Sequence, residues 1–256
     1  MQKQIAMVTG AAGGIGRGIA LELAKAGYDL MLHSARDFNA AKILCDEIKD
    51  RYGSAAFAVQ ADLQDPEAPD HIFSEFDKRF GRLDLYVNNA GVTEGAPFLK
   101  MTRETFDRVY EINLRGAYFC VQNAAKRMVE IGVKGNIIII TSNQQHYIMP
   151  RMSVYGPVKS ALMRFAAHAS MELAEYGIRV NSIAPGYVDS SPRMAPSREK
   201  SMEHIPLRRW ATVEEVGQAV LYLASPSAAF ITGTCLVMDG GASNQNRSMG
   251  MFNQDL

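Results

Sequence analysis

The stretch Thr9-Gly10-Ala11-Ala12-Gly13-Gly14-Ile15-Gly16 constrains this chain most, because it joins two patterns of different period. The apolar run Ile5-Ala6-Met7-Val8 precedes it, and Ile15, Ile19 and Leu23 follow at helical spacing. Strand, glycine turn and helix in that order bring backbone amides and the positive end of a helix to one point. Glycine there lets a pyrophosphate approach the main chain closely. A glycine-rich turn is by itself often only a turn, so the rest of the chain must agree with it.

It does agree in pattern. Strand-like apolar runs are expected at Ile5 to Val8, Leu30 to His33, Ala55 to Gln60, Leu83 to Val87, Ile137 to Thr141, Arg179 to Ala184 and Cys235 to Met238. Amphipathic stretches alternate with them, the pattern of a parallel sheet covered on both faces. Thr212-Val213-Glu214-Glu215 reads as a capping box, and Gly81, Gly132 and Gly177 stand where helices should stop. The irregular stretch 187–211, with Pro192, Pro196 and Pro206, is long for a connection in a compact domain and reads as a substrate lid. The expectation is a single α/β domain over residues 1–256, with a doubly wound seven-stranded parallel sheet.

Lys plus Arg and Asp plus Glu number 27 each, so no basic excess points to nucleic acid or an anionic membrane as partner. Cys45, Cys120 and Cys235 are far apart and lack metal-ligand spacing, which argues against a disulfide framework and a metal site. With no signal peptide or membrane-length apolar run, a cytoplasmic enzyme is expected.

A second constellation lies downstream. Ser142 follows the run Ile137-Ile138-Ile139-Ile140, and Tyr155-Gly156-Pro157-Val158-Lys159 comes after it. Positions four apart share a helix face, so Tyr155 and Lys159 would project side by side, and a cation beside a phenol favours its ionised form. Tyr and Lys at that spacing are common in helices. What gives the pair weight is its order after the glycine turn. Pro157 is tolerable if the helix begins near Ser153.

From about Ile5 to Gly241 the chain resembles the short-chain dehydrogenase/reductase family. The likeness rests on the glycine turn, Asp62, Asn88-Asn89-Ala90-Gly91, Asn113 in a long helix, Ser142, Tyr155 with Lys159, Pro185-Gly186 and Asp239-Gly240-Gly241. It implies a Rossmann fold and NAD(P)-dependent interconversion of a secondary alcohol and a carbonyl. Tyr155 would be the general acid/base, Ser142 would orient the substrate oxygen, Lys159 would assist Tyr155 and bind the nicotinamide ribose, and Asn113 would hold a water leading to Lys159. The cofactor would lie against Gly10, Gly14, Ile15, Gly16, Ser34, Arg36, Asp62, Leu63, Asn89, Ala90, Gly91, Tyr155, Lys159, Pro185, Gly186, Val188 and Ser190. Ser190 stands where the family usually has Thr. A homotetramer is the assembly the family implies.

Cofactor choice turns on the end of the second strand, where the family's acidic position falls on Ser34. His33-Ser34-Ala35-Arg36 has no carboxylate, which favours NADP over NAD. Asp37 close by, and Gly13 in place of a basic residue, count the other way. The run Asn143-Gln144-Gln145-His146-Tyr147 suggests a small polar substrate, a sugar, polyol or related hydroxy compound, held by Asn143, Gln145, His146 and Tyr187. It is more similar there to bacterial glucose and gluconate dehydrogenases. Reduction of a 3-oxoacyl-acyl-carrier-protein thioester is the alternative, with Arg193, Arg198 and Lys200 facing an acidic carrier. A non-catalytic nucleotide-binding sensor is the remote one.

Overall fold

The computed structural model describes residues 3–190 and 198–244. The expected lid is therefore described only in part, and Arg193, Pro192 and Pro196 lie outside the described residues. The strands are β1 (Ile5–Val8), β2 (Asp29–Ser34), β3 (Ala56–Gln60), β4 (Leu85–Asn88), β5 (Asn136–Ile140), β6 (Arg179–Pro185), β7 (Val188–Asp189), β8 (Ala211–Thr212) and β9 (Cys235–Met238). Interleaved with them are α1 (Gly14–Lys25), α2 (Phe38–Tyr52), α3 (Ala68–Asp77), α4 (Arg103–Tyr110), α5 (Ala117–Ile131), α6 (Tyr155–Leu173), α7 (Arg198–Glu203) and α8 (Val213–Ala224).

Seven strands form one parallel sheet in the order β3-β2-β1-β4-β5-β6-β9. The order reverses between β1 and β4, so a crevice opens beyond their carboxyl ends. Strand alternation sorts side chains into two cores. Ile137 and Ile139 of β5 join the layer under α3, α5 and α6, with Phe73, Cys120 and Leu162; Ile138 and Ile140 join the layer under α1, α2 and α8, with Ile19, Leu44 and Val220. An unbroken isoleucine run is thus what a strand buried on both faces needs.

The helix ends follow local chemistry. Asp37 Oδ1 accepts the Ala40 amide at 2.9 Å and caps α2, whose other end turns on Gly53 at φ +65°. The Thr212–Glu215 capping box starts α8, and Gly132 at φ +73° ends α5. Gly81 stops no helix, since α3 ends at Asp77. Asn113 does not lie in a regular long helix: Glu111–Gly116 is a π-helical segment between α4 and α5. Pro157 is the third residue of α6, where a missing amide costs little. The short β7 and β8 pair in parallel, Val188 with Ala211 and Asp189 with Thr212, and bring the two ends of the irregular stretch together. No helix among the described residues is long and apolar enough to cross a membrane, and no acidic, His and Cys cluster there could hold a metal.

Candidate active site

The glycine turn is fixed by its surroundings. Gly10 and Gly14 have φ of +65° and +54°, a region that favours glycine. Gly16 is needed for closeness: a Cβ on it would lie 2.1 Å from the Gly10 carbonyl oxygen. The Asn89 amide group donates to the carbonyls of Thr9 and Gly10 at 2.9 and 3.1 Å, and Thr9 Oγ1 accepts the Asn89 and Ala90 amides, both at 3.0 Å. Helix α1 begins on Gly13 with no side-chain cap and no acidic residue in its first turn. Its leading amides are thus left for an anion, and this donor set fits a dinucleotide pyrophosphate.

Two clefts meet at the turn. One, of about 250 Å³, is lined by Gly10, Ile15, Gly16, Asn89, Ala90, Gly91, Tyr155, Lys159 and Ser190, together with Gly13, Thr93, Ile140 and Thr141. The other, of about 230 Å³, shares Gly10, Ala90 and Gly91 with it and adds Arg36, Asp62 and Leu63, along with His33, Ala35 and Arg108. Gly14 instead faces Ser190, whose Cβ would be 3.5 Å from a Cβ on Gly14. Ser34 lines neither cleft. It is 4% exposed, because alternation along β2 turns it to the face opposite His33. Pro185 ends β6, Gly186 donates its amide to the Met238 carbonyl at 2.9 Å, and Val188 is buried in β7. None of these three lines either cleft.

The residues expected to transfer the proton stand on three elements, of which Tyr155 and Lys159 line one cleft together. Ser142 lies just past β5, buried, its Oγ accepting the Gln144 amide at 3.3 Å. Tyr155 opens α6, and Lys159 one turn later is 4% exposed, with Nζ 5.7 Å from the Tyr155 ring centroid. Lys159 Nζ donates to the Ile140 carbonyl at 3.0 Å, and no carboxylate pairs with it among the described residues. Asn113 is fully buried, its amide bonding both the Val92 N–H and C=O at 2.8 Å. Between Asn113 and Lys159 lies Gly91, where a Cβ would be 3.2 Å from Asn113 Oδ1 and 3.7 Å from Lys159 Nζ. The bare backbone there is what lets these two side chains come near each other.

The polar run beyond Ser142 is tied in part to other elements. Asn143 donates to Asp239 Oδ2 at 3.4 Å, and Gln145 donates to Cys235 Sγ at 3.0 Å, so each amide is engaged in part with the segment at and after β9. His146 is exposed and neither cleft includes it. Tyr187 stacks on Trp210, ring centroids 5.4 Å apart and 18° between planes, and burial raises its phenol pKa. Gln144, passed over in the sequence, keeps a buried Oε1 with no hydrogen-bond partner beside Ser142. Such an atom favours occupation by a donor. Nothing in the spacing of five polar residues tells which one will be left unpaired.

Known proteins match this arrangement over nearly its whole length. Residues 10–243 fit a family model described as enoyl-(acyl carrier protein) reductase. The chain is 35% identical to 3-oxoacyl-[acyl-carrier-protein] reductase FabG of Staphylococcus aureus (strain N315), covering 92% of this chain and 96% of that protein. It is 36% identical to the uncharacterized oxidoreductase YohF of Escherichia coli (strain K12), covering 93% and 95%. The crystal structure of acetoin dehydrogenase from Enterobacter cloacae superposes with a TM-score of 0.89 at 35% identity, covering 96% of this chain and 98% of that one.

Proposed function

The chain belongs to the short-chain dehydrogenase/reductase family and is an NAD(P)-dependent oxidoreductase acting on CH–OH and carbonyl groups, and from that premise we propose that it interconverts a small hydroxy-ketone or polyol with its oxidised or reduced partner, preferring NADP. The carrying observation is the meeting of Tyr155, Lys159 and the glycine turn on one cleft. When bound, the nicotinamide supplies or takes up the hydride. Tyr155 gives the proton to the carbonyl oxygen, or removes it from the alcohol in the reverse direction. Lys159, a buried cation held by the Ile140 carbonyl, stabilises negative charge on the phenol oxygen and would hydrogen-bond the nicotinamide ribose. Ser142 holds the substrate oxygen, and Asn113 steadies the Gly91-Val92 backbone beside Lys159.

NADP preference is supported by the charges at the second cleft. Arg36 lines it, exposed and without an ion-pair partner among the described residues, while the Asp37 carboxylate is committed to capping α2. A free guanidinium suits a 2′-phosphate. The stretch 187–211 acts as a substrate lid, with the β7–β8 pair and the Tyr187–Trp210 stack joining its ends. Homotetramer formation is supported by exposed aromatic rings on α4 and α5: Phe106 stacks on Tyr110, and Tyr118 lies 4.8 Å from Phe165. On α6, Leu162 and Ala166 are buried against the sheet, while Phe165 and Ala169 are half-buried at the edge of the same core and keep part of their surface for a partner.

A hydroxylated substrate is supported by the unpaired Gln144 Oε1, which would accept from a substrate hydroxyl, and by the likeness to acetoin dehydrogenase. The names of the curated relatives favour 3-oxoacyl-acyl-carrier-protein reduction as a second reading. Parallel kinetics with acetoin, other vicinal hydroxy-ketones, polyols and acetoacetyl thioesters, each with both nucleotides, separate the two. Turnover of hydroxy compounds is expected, and efficient turnover of the thioester alone would overturn the small-substrate reading.

A further inference from the structure

His33 is used by neither the proton relay nor the charge recognition just described, yet it holds the nucleotide turn from two sides. Its main-chain carbonyl accepts the Ala11 amide at 2.9 Å, and its Nδ1 accepts the Gly10 amide at 3.3 Å. Across the ring, Nε2 lies 2.9 Å from the Ala61 carbonyl at the end of β3. A carbonyl only accepts, so Nε2 carries the proton and Nδ1 the lone pair; the imidazole is neutral and both nitrogens are used. Burial acts in the same direction and lowers the imidazole pKa. The ring is 1% exposed and also lines the second cleft. The turn after β1 and the segment after β3 are therefore tied to β2 through one side chain.

We propose that His33 is a positioning residue for the dinucleotide: its Nδ1 holds Gly10 in the left-handed turn that shapes the pyrophosphate site. Gly10 is the residue whose carbonyl Asn89 also grips and against which Gly16 packs, so a rotated Gly10 peptide would disturb both neighbours. Without an acceptor the Gly10 amide would favour such a rotation. The proposal rests on reading this turn as the nucleotide site.

Three variants divide the two ring functions. In His33→Asn the side-chain oxygen stands where Nδ1 stood and keeps the Gly10 acceptor; in His33→Gln the terminal amide reaches toward Ala61 but leaves Gly10 unpaired; His33→Leu removes both. Calorimetric titration with NADP and steady-state kinetics are expected to show Kd and nucleotide KM within about threefold of the parent for Asn, but about tenfold or more higher for Gln and Leu, with kcat little changed. A purely structural role would instead lower the melting temperatures of Asn and Gln alike and leave their nucleotide KM at the parent value. That outcome, or Asn binding as weakly as Leu, overturns the proposal, and the Asn and Gln pair decides it if Leu does not fold. Parent protein that binds no nucleotide would overturn the site reading itself, and this proposal with it.

Discussion

Replacing Asp37 by Ala distinguishes two uses of one carboxylate close to the nucleotide rim. The structure gives it a helix-capping use: Oδ1 accepts the Ala40 amide at 2.9 Å, one of the leading amides of α2 that have no partner within the helix. Loss of such a cap costs about 1 kcal/mol, within a range of roughly 0.5–2. For a chain of this size that lowers the melting temperature by about 2–4 °C. Because α2 still buries Leu44 and Ile48 against the sheet, the helix should persist with a frayed first turn. Differential scanning calorimetry reads the stability change, and titration with NAD and NADP reads the affinities. The expected result is a small stability loss with the ratio of the two nucleotide affinities unchanged. Weakened NAD binding with an unaltered melting temperature would show that Asp37 serves the ribose, and would refute the assignment of Arg36 as the group that sets cofactor choice.

Arg36→Asp should shift preference from NADP toward NAD by tenfold or more, roughly 1–3 kcal/mol, because a carboxylate repels the 2′-phosphate and accepts from a ribose hydroxyl; the ratio of kcat/KM values with the two nucleotides measures it, and an unchanged ratio contradicts it. Glu215 has its pKa lowered to about 2, chiefly by the hydrogen bond from Arg209 and next by the Thr212 amide. A carboxylate depressed on folding contributes stability at pH above its ordinary value of 4.5, and that contribution is lost as pH falls toward about 2. Glu215→Gln should therefore be less stable than the parent at neutral pH and converge with it in acid, as followed by melting temperature against pH; a constant difference across that range would contradict the assignment.

The fold was legible because its signals are periodic and local. Alternating apolar runs mark all seven strands of the main sheet to within two residues at each end, and the Thr212 capping box and Gly132 turn depend on side chains within a few positions. Long-range partners were not legible. Nothing in the order His33-Ser34 tells that β2 enters the sheet with His33 on the cleft side and Ser34 turned away, nor that Asn143 and Gln145 find Asp239 and Cys235 more than ninety residues on in the first case and ninety in the second. Likewise, the π-helical segment around Asn113 gives no periodic signal, and the Val92 backbone that Asn113 bonds lies 21 residues away in the chain. Gly91 looked like part of a motif, but its physical reason, the approach of Asn113 and Lys159 to bare backbone, is visible only in three dimensions.

The Tyr155 hydroxyl is proposed to transfer the proton during nicotinamide-dependent carbonyl chemistry. Single-turnover absorbance at 340 nm, comparing the parent with Tyr155→Phe on the best hydroxy-ketone substrate and NADPH, tests it most directly. The variant keeps the ring over which Lys159 lies and removes only the hydroxyl. NADPH should bind the variant as it binds the parent, while its oxidation slows by about a hundredfold or more. Oxidation at the parent rate would contradict it.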